Sequence, residues 1–114
     1  MDLLKPGDIL ANALERAILL RLGLNDQEVS ELRVLSRKYT GVGLYTEFKL
    51  NIPRSSRKTS AVLEGQIKMP SVPNGLGAML MTNGAAPECL EVFTHGDDLW
   101  NGRFEEFSIE DNPE

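Results

Sequence analysis

The feature that most constrains the fold is a change in the spacing of apolar residues, from the helical period to strict alternation. From Leu10 to Leu22, apolar residues recur every four positions, which predicts one amphipathic helix. Asp8 is a candidate N-cap for this helix, and Gly23 is a candidate C-terminal stop. Glu15 falls on the opposite, polar side, so we expect it to face solvent.

A short second helix and a series of strands follow. Asn25 or Asp26 caps the second helix, which ends near Leu32 or Leu35. Residues beyond it alternate between apolar and polar or form short apolar runs, the patterns typical of strands. The six predicted strands cover residues 33–39, 42–50, 61–69, 77–81, 88–94 and 103–109, and an acidic tail follows from Ser108.

The connections between these strands decide the topology. A parallel crossover needs a dozen or more residues, so short turns make neighbouring strands antiparallel. One amphipathic helix has to cover one face of the sheet. The 114 residues lie in the one-domain range. We therefore predict a single α+β domain spanning 1–114, with an antiparallel sheet of about five to six strands and both helices packed on one face.

Charge is unevenly distributed along the chain. Net charge is −5, which argues against general nucleic-acid binding. Residues 1–58 hold 10 Lys or Arg against 7 Asp or Glu, whereas residues 59–114 hold 2 against 10. Faces of opposite sign would steer a charged partner or favour self-association, unless folding intermixes the two halves.

Two features of the sequence indicate the cellular compartment of the protein. Cys89 is the single cysteine, so no disulfide forms within the chain, as expected in a reducing compartment. The N-terminus lacks the pattern of a secretory signal, and the apolar stretch around residues 18–24 is interrupted by Arg21 and too short to cross a bilayer. We predict a cytoplasmic protein without a membrane partner.

Catalytic and metal chemistry have weak support. Cys89 and His95 would point to the same side of a strand, but about 20 Å of extended chain separates them. His95, Asp97 and Asp98 lack a defined ligand spacing, and no glycine-rich phosphate loop is present. The residues favour a non-enzymatic role, with no metal and no cofactor.

Several exposed or loop residues are candidates for binding. Arg54, Arg57 and Lys58 form one compact basic group in the polar connector 51–59, where they contact an acidic partner or are simply solvated. Trp100 lies in a loop between strands, where it is either a lid over one end of the core or an exposed anchor for a partner.

Four further candidates lie on or beside strands. Tyr45 alternates onto the polar face of its strand beside Glu47, which predicts an exposed aromatic and charged surface. Arg37, Glu91 and His95 are the residues that a small-ligand site or an enzyme would use, and a cavity lined by the first two and Trp100 would favour that function.

Two segments resemble those of a known family. The segment 36–48, SRKYTGVGLYTEF, is similar to the pattern S-R-x-[YF]-T-G-V-G-[FL]-[FY]-T-x-F of small uncharacterised bacterial proteins. The segment 89–97, CLEVFTHGD, together with Trp100, is similar to a second pattern near their C-termini, although Asn101 replaces its usual proline. The family has no established activity, so the resemblance implies a bacterial cytoplasmic protein and little more.

Three functional hypotheses follow. The first is a protein-binding module, of toxin-neutralising or accessory-subunit type, which fits the small size and the charge asymmetry. The second is a self-associating structural protein that forms a homodimer through a strand edge or the Tyr45 and Glu47 face. The third is a small-ligand-binding protein or an enzyme.

Overall fold

Two helices and eight strands form the part of the chain that the structure describes. The computed structural model describes residues 9–49, 60–83, 86–100, 102–104 and 106–111. The helices are α1 (Ala13–Arg21) and α2 (Asp26–Glu31). The strands are β1 (Ile9–Leu10), β2 (Arg33–Tyr39), β3 (Gly43–Phe48), β4 (Ser60–Val62), β5 (Gly65–Met69), β6 (Val72–Asn83), β7 (Ala86–Thr94) and β8 (Ser108–Asp111).

Both helices begin with the same capping box. In α1 the Glu15 amide donates a hydrogen bond to the Asn12 side chain, and the Asn12 amide donates one to the Glu15 carboxylate, both at 2.8 Å. Asn25 and Glu28 repeat this arrangement, so of the two predicted candidates, Asn25 and Asp26, Asn25 is the cap. The predicted cap Asp8 lies outside the described residues, and α1 begins later than expected. Neither helix is long and apolar enough to cross a membrane in the described ranges.

All strands belong to one antiparallel sheet. Its order is β1-β2-β3-β7-β6-β5-β8, and β4 pairs with β6 alongside β5. An α+β fold with an antiparallel sheet is thus confirmed, but the predicted count of five to six strands is too low, since the described residues contain eight.

The additional strands have local explanations. The helical spacing places Leu10 in the first helix, but Ile9 and Leu10 pair with Val34 and Arg33 as β1. The single strand predicted over 61–69 is two strands, β4 and β5, separated by Leu63 and Glu64; β5 begins at Gly65, whose φ is +145°. The last strand, predicted over 103–109, is displaced: the described residues 103, 104, 106 and 107 are not in a strand. Ser108–Asp111, predicted to trail off as a tail, forms β8 by pairing with β5.

The sheet has two unlike faces. The inner face, defined as the face that carries Arg37 and Thr46, packs against the helices. The buried residues of this core come from both helices and from the strands, and they include Leu14, Ile18, Leu19, Val29, Leu44, Phe48, Ile67, Leu76, Leu80, Leu90 and Val92. The outer face carries Lys38, Tyr45 and Glu91, because successive strand residues point to opposite sides.

Helix α1 contacts the sheet near both of its ends. Glu15 bonds side chains of β2 and β3, while Arg21 bonds the Asp111 carboxylate and the Ile109 carbonyl of β8. Glu15 and Arg21 are about 9 Å apart along the helix axis. Helix α1 is therefore tied at one end to β2 and β3 and at the other end to β8, the last strand of the sheet order.

A glycine substitution at the start of β5 tests this arrangement. A Cβ on Gly65 would lie 2.2 Å from the Glu110 carbonyl oxygen, so alanine would push β8 away from β5. We expect Gly65→Ala to lower the free energy of unfolding by about 3 kcal/mol, from overpacking and a disfavoured φ together.

The matched control is Gly41→Ala, measured in the same chemical denaturation series. Gly41 also has a positive φ, +92°, but a Cβ at this position would have no atom within 4 Å. Its substitution carries only the backbone strain, about 1 kcal/mol. Equal losses for the two variants would contradict close packing of β8 on β5.

Candidate interaction surface

The two sequence segments with a family resemblance are neighbours in the sheet. Strand β3, in the first segment, pairs with β7, in the second, over five consecutive residue pairs. These pairs are Gly43 with Phe93, Leu44 with Val92, Tyr45 with Glu91, Thr46 with Leu90 and Glu47 with Cys89. One end of this pair of strands, with the β2–β3 turn and the connector after β7, forms a region that we name the tip (residues 39–43 and 94–100).

Hydrogen bonds between backbone groups hold the tip together. The Trp100 amide donates to the Gly41 carbonyl at 2.9 Å, and the Thr94 amide donates to the Val42 carbonyl at the same distance. The Thr94 hydroxyl also donates to the Asp98 carbonyl at 2.9 Å. The connector is thereby fixed to the hairpin turn at several points, so the tip presents a pre-formed surface.

Trp100 forms the floor of the tip. Only 3% of its surface is exposed, and it belongs to the core cluster. Its indole N–H donates to the Arg103 carbonyl at 2.7 Å, which satisfies the one polar group of the ring. Of the two roles considered for this residue, burial agrees with the lid over one end of the core rather than with an exposed anchor.

An open depression lies above this floor. It has a volume of about 540 Å³ and is lined by Tyr39, Gly41, Ser71, Leu99 and Trp100. Leu99 is 78% exposed, and Tyr39 is about half exposed, as is Val42 in the turn beside it. Leu99 and Tyr39 thus expose apolar surface in one depression, on a backbone that hydrogen bonds hold in place.

A second depression lies at the C-terminal end of α1. It has a volume of about 610 Å³, and its lining comes from that helix end, β4, the turn after it, and β8. Arg21 and Asp111, which line it, already pair with each other. Charged side chains line this depression, which makes it a poorer apolar docking site than the one at the tip.

Arg37 lies on the inner face in an ion pair with α1. Its Nε and Nη2 donate to the two Glu15 carboxylate oxygens at 2.9 and 2.7 Å, and Nη2 also reaches the Leu10 carbonyl. The Thr46 hydroxyl donates to the same carboxylate at 2.6 Å. Glu15 is completely buried, so our expectation that it faces solvent is wrong.

Ionisation of the buried carboxylate is favoured by its partners. Burial alone would raise the pKa of Glu15, but hydrogen bonds from Arg37, Thr46 and the Asn12 amide outweigh burial and lower this pKa below its ordinary value. The same pairing raises the pKa of the Arg37 guanidinium. Glu15 is therefore a charged group at neutral pH with every hydrogen-bonding site occupied, and Arg37 is engaged inside the molecule.

Tyr45 and Glu91 face each other across β3 and β7 on the outer face. A hydrogen bond to the Glu91 carboxylate, and the charge of that carboxylate, raise the pKa of the Tyr45 hydroxyl. Both side chains are half-buried. On the same face, half-buried Met79 and Phe93 add apolar surface to this pair.

Cys89 and His95 do not form a nucleophile and base. The His95 ring packs edge-on against Phe93, with 5.8 Å between ring centroids, and its amide donates to the Gly75 carbonyl. Burial and the nearby carboxylates of Glu47 and Glu91 raise the pKa of the Cys89 thiol, which disfavours the nucleophilic thiolate.

The structure separates most of the candidate residues predicted from sequence. Arg37 is on the inner face, Glu91 is on the outer face, and Trp100 is the floor of the tip, so these three line no common cavity. The basic group at residues 54, 57 and 58 lies outside the described residues. In the described ranges, no group of three His, Cys, Asp or Glu residues could hold a metal ion.

Comparisons with sequence profiles of known families, with curated proteins and with solved structures find no match. The resemblance of segments 36–48 and 89–97 to small bacterial proteins therefore stays a prediction.

Sequence reasoning missed Tyr39, Val42 and Leu99. Leu99 had a usable signal, since it is a large apolar residue after two aspartates in a loop. Tyr39 and Val42 flank Thr40-Gly41, but only the packing of the connector against this turn brings Tyr39 into one depression with Leu99.

A pair of glutamate substitutions tests the buried ion pair. We expect Glu15→Gln to lower the free energy of unfolding by about 2 kcal/mol, because it leaves the mostly buried Arg37 guanidinium without a counter-charge. The control, Glu28→Gln, makes the same change in the other capping box and is expected to cost less than about 0.5 kcal/mol, since glutamine also fits a capping box. Urea denaturation measures both, and similar losses would contradict a special role for Glu15.

Stability should also depend on pH through Glu15. Its pKa is lowered in the folded chain, so its ionised form stabilises the fold above its ordinary value of 4.5, and this contribution is lost as pH falls through the lowered folded pKa. We expect the stability difference between the original chain and Glu15→Gln to be largest at neutral pH and to shrink progressively below pH 4.5. A constant difference across that range would contradict a carboxylate with a lowered pKa.

Proposed function

We propose that this chain is a protein-binding module whose tip depression receives a large apolar side chain of a partner protein. The observation that carries this proposal is Leu99, which is 78% exposed beside Tyr39 and above the buried Trp100. Complete burial of a leucine side chain is worth about 1.5–3 kcal/mol, and the fold leaves most of this gain for another molecule.

The construction of the tip supports binding of a protein rather than a small molecule. Small-molecule sites are concave and enclose most of their ligand, whereas this depression is open and its walls come from exposed side chains. The hydrogen bonds from Trp100 and Thr94 to the hairpin turn fix the backbone in advance. Less conformational entropy is then lost on binding, which favours a stable complex on a modest area.

The proposal includes the hypothesis of a toxin-neutralising or accessory subunit, and the identity of the partner decides between those two roles. The basic group at residues 54, 57 and 58 is a second proposed contact with the partner. A cytoplasmic location and a bacterial source belong to the same proposal and rest on the sequence alone.

Self-association is the second candidate function, and the outer face is the observation that favours it. Met79, Phe93 and the paired Tyr45 and Glu91 are half-buried there. No helix among the described elements is shown to cover this face, since Glu15 binds α1 to the opposite one. A symmetric dimer would bury this surface against a second copy.

Paired baits test the proposed function. We expect a bait with Leu99→Asp to lose at least about 90% of a partner captured by the original chain, because a charge replaces the apolar contact at the centre of the site. The control bait carries Val62→Asp, which places the same charge at a valine that is 60% exposed on β4. Quantitative mass spectrometry of the eluates measures the ratio.

The alternatives give different results in this experiment. A partner lost with Val62→Asp but kept with Leu99→Asp would contradict the tip as the docking site. Capture of nothing except a second copy of the chain would contradict the binding-module proposal and support self-association. Both substituted side chains are exposed, so the fold is expected to tolerate them, and circular dichroism checks this.

A further inference from the structure

Strand β2 has an open edge next to the tip. Along one side β2 pairs with β3, and on the other side β1 pairs only with Val34 and Arg33. Within the described ranges, residues 35–39 have no strand beside them on that second side. An edge of this kind presents unpaired amide and carbonyl groups to which another strand can bind.

The hydrogen-bond alternation identifies which backbone groups point outward. The Thr40 amide donates to the Gly43 carbonyl at 3.0 Å, which marks this pair as hydrogen-bonded. Hydrogen-bonded and non-hydrogen-bonded pairs alternate in an antiparallel ladder, so Lys38 with Tyr45 is the next hydrogen-bonded pair. The amide and carbonyl groups of Arg37 and Tyr39, in the pairs between, therefore point away from β3 toward the open edge.

Apolar side chains follow the same edge. Leu35 is 60% exposed and Tyr39 is 52% exposed, while Ile9 and Leu10 on β1 are each more than 40% exposed. Half of the large hydrophobic residues exposed in the described structure thus lie on two adjacent strands. Tyr39 also lines the tip depression, so the edge and the depression form one continuous surface.

The charge of β2 indicates which kind of strand from another molecule can pair with this edge. Strand β2, RVLSRKY, carries three basic residues and no acidic one. Glu15 neutralises Arg37, which leaves the exposed Lys38 facing outward. Pairing of β2 with β2 of a second copy would bring basic side chains together, which is unfavourable. An incoming strand with an acidic residue near Lys38 has the complementary charge.

We propose that the partner is held by strand addition: an extended segment of another protein pairs with the outward backbone groups of Arg37 and Tyr39, places an acidic residue near Lys38 and inserts a large apolar residue into the tip depression. Main-chain hydrogen bonds supply affinity in this binding mode, and the side chains supply specificity. This inference rests on the proposed function, because it describes how the same partner binds.

Amide hydrogen exchange, followed by NMR, tests the open edge in the chain alone. We expect the Arg37 and Tyr39 amides to exchange at least about tenfold faster than the Lys38 amide, which the ladder protects. Slow exchange of Arg37 and Tyr39 would overturn the proposal. If that slow exchange did not depend on protein concentration, another segment of the same chain would be covering the edge. If it did depend on concentration, a second copy of the chain would be covering it.

The probe for binding is a phage-displayed library of random dodecapeptides, followed by synthesis of the peptides it enriches. We expect enriched peptides to combine acidic and apolar residues and to slow exchange at Arg37 and Tyr39 by at least about tenfold. Lys38→Glu should weaken their binding at least about tenfold, whereas Lys68→Glu, the same change at an exposed lysine of β5, should alter it less than about twofold.

Failure of this inference is distinguishable from failure of the proposed function. Peptides that lose binding with Leu99→Asp, but leave exchange at Arg37 and Tyr39 unchanged, would overturn strand addition and leave the tip depression as the docking site. If Lys38→Glu left peptide binding unchanged, the proposal that the partner places an acidic residue near Lys38 would be overturned. If no peptide is enriched, strand addition is overturned, and the bait experiment alone decides the proposed function.

Discussion

The fold depends on one buried carboxylate. Glu15 caps its own helix through the Asn12 amide, and the same carboxylate accepts hydrogen bonds from Arg37 on β2 and Thr46 on β3. A charge removed from water is expensive unless hydrogen bonds and a counter-charge compensate for it, and here every requirement is met within one cluster. These hydrogen bonds therefore fix where α1 lies on the sheet, because a shift of the helix by one residue would break all of them together.

A second anchor holds the other end of α1. With Glu15 bound to β2 and β3, Arg21 lies six residues further along the helix and reaches β8, at the other end of the strand order. One short helix is therefore tied to strands from both sides of the sheet, and the conformation of Gly65 lets β8 approach β5. The ion pair of Arg21 with Asp111 is exposed and adds little stability by itself, so its contribution is to position the chain.

Sequence periodicity predicted the elements well wherever a segment had one clear pattern. Alternation predicted the strand that is β3, the turn residues before Glu88 predicted the strand that is β7, and residue type limited the second cap to Asn25 or Asp26. The failures were at Asn12, Gly65 and Glu15. The Asn-x-x-Glu spacing at Asn12 repeats that at Asn25, so this cap was readable from the sequence. Burial of Glu15 was not, because it depends on Arg37, 22 residues away, and on where β2 lies relative to α1.

The candidate site was predicted less well than the fold, and the reason is physical. Arg37, Tyr45 and Glu91 were chosen for their chemistry, yet each has a partner within the fold, Glu15 of α1 for Arg37 and the facing strand residue for the other two. The proposed surface is made instead of Leu99, which is 78% exposed, and Tyr39, whose half-exposed ring lies against the backbone of Gly102. Trp100 and Leu99 are neighbours with different roles, since the buried ring of Trp100 stabilises the connector while the Leu99 side chain stays in solvent, available for binding. Stability and binding thus belong to adjacent residues, so the surface at position 99 can change without loss of the fold beneath it.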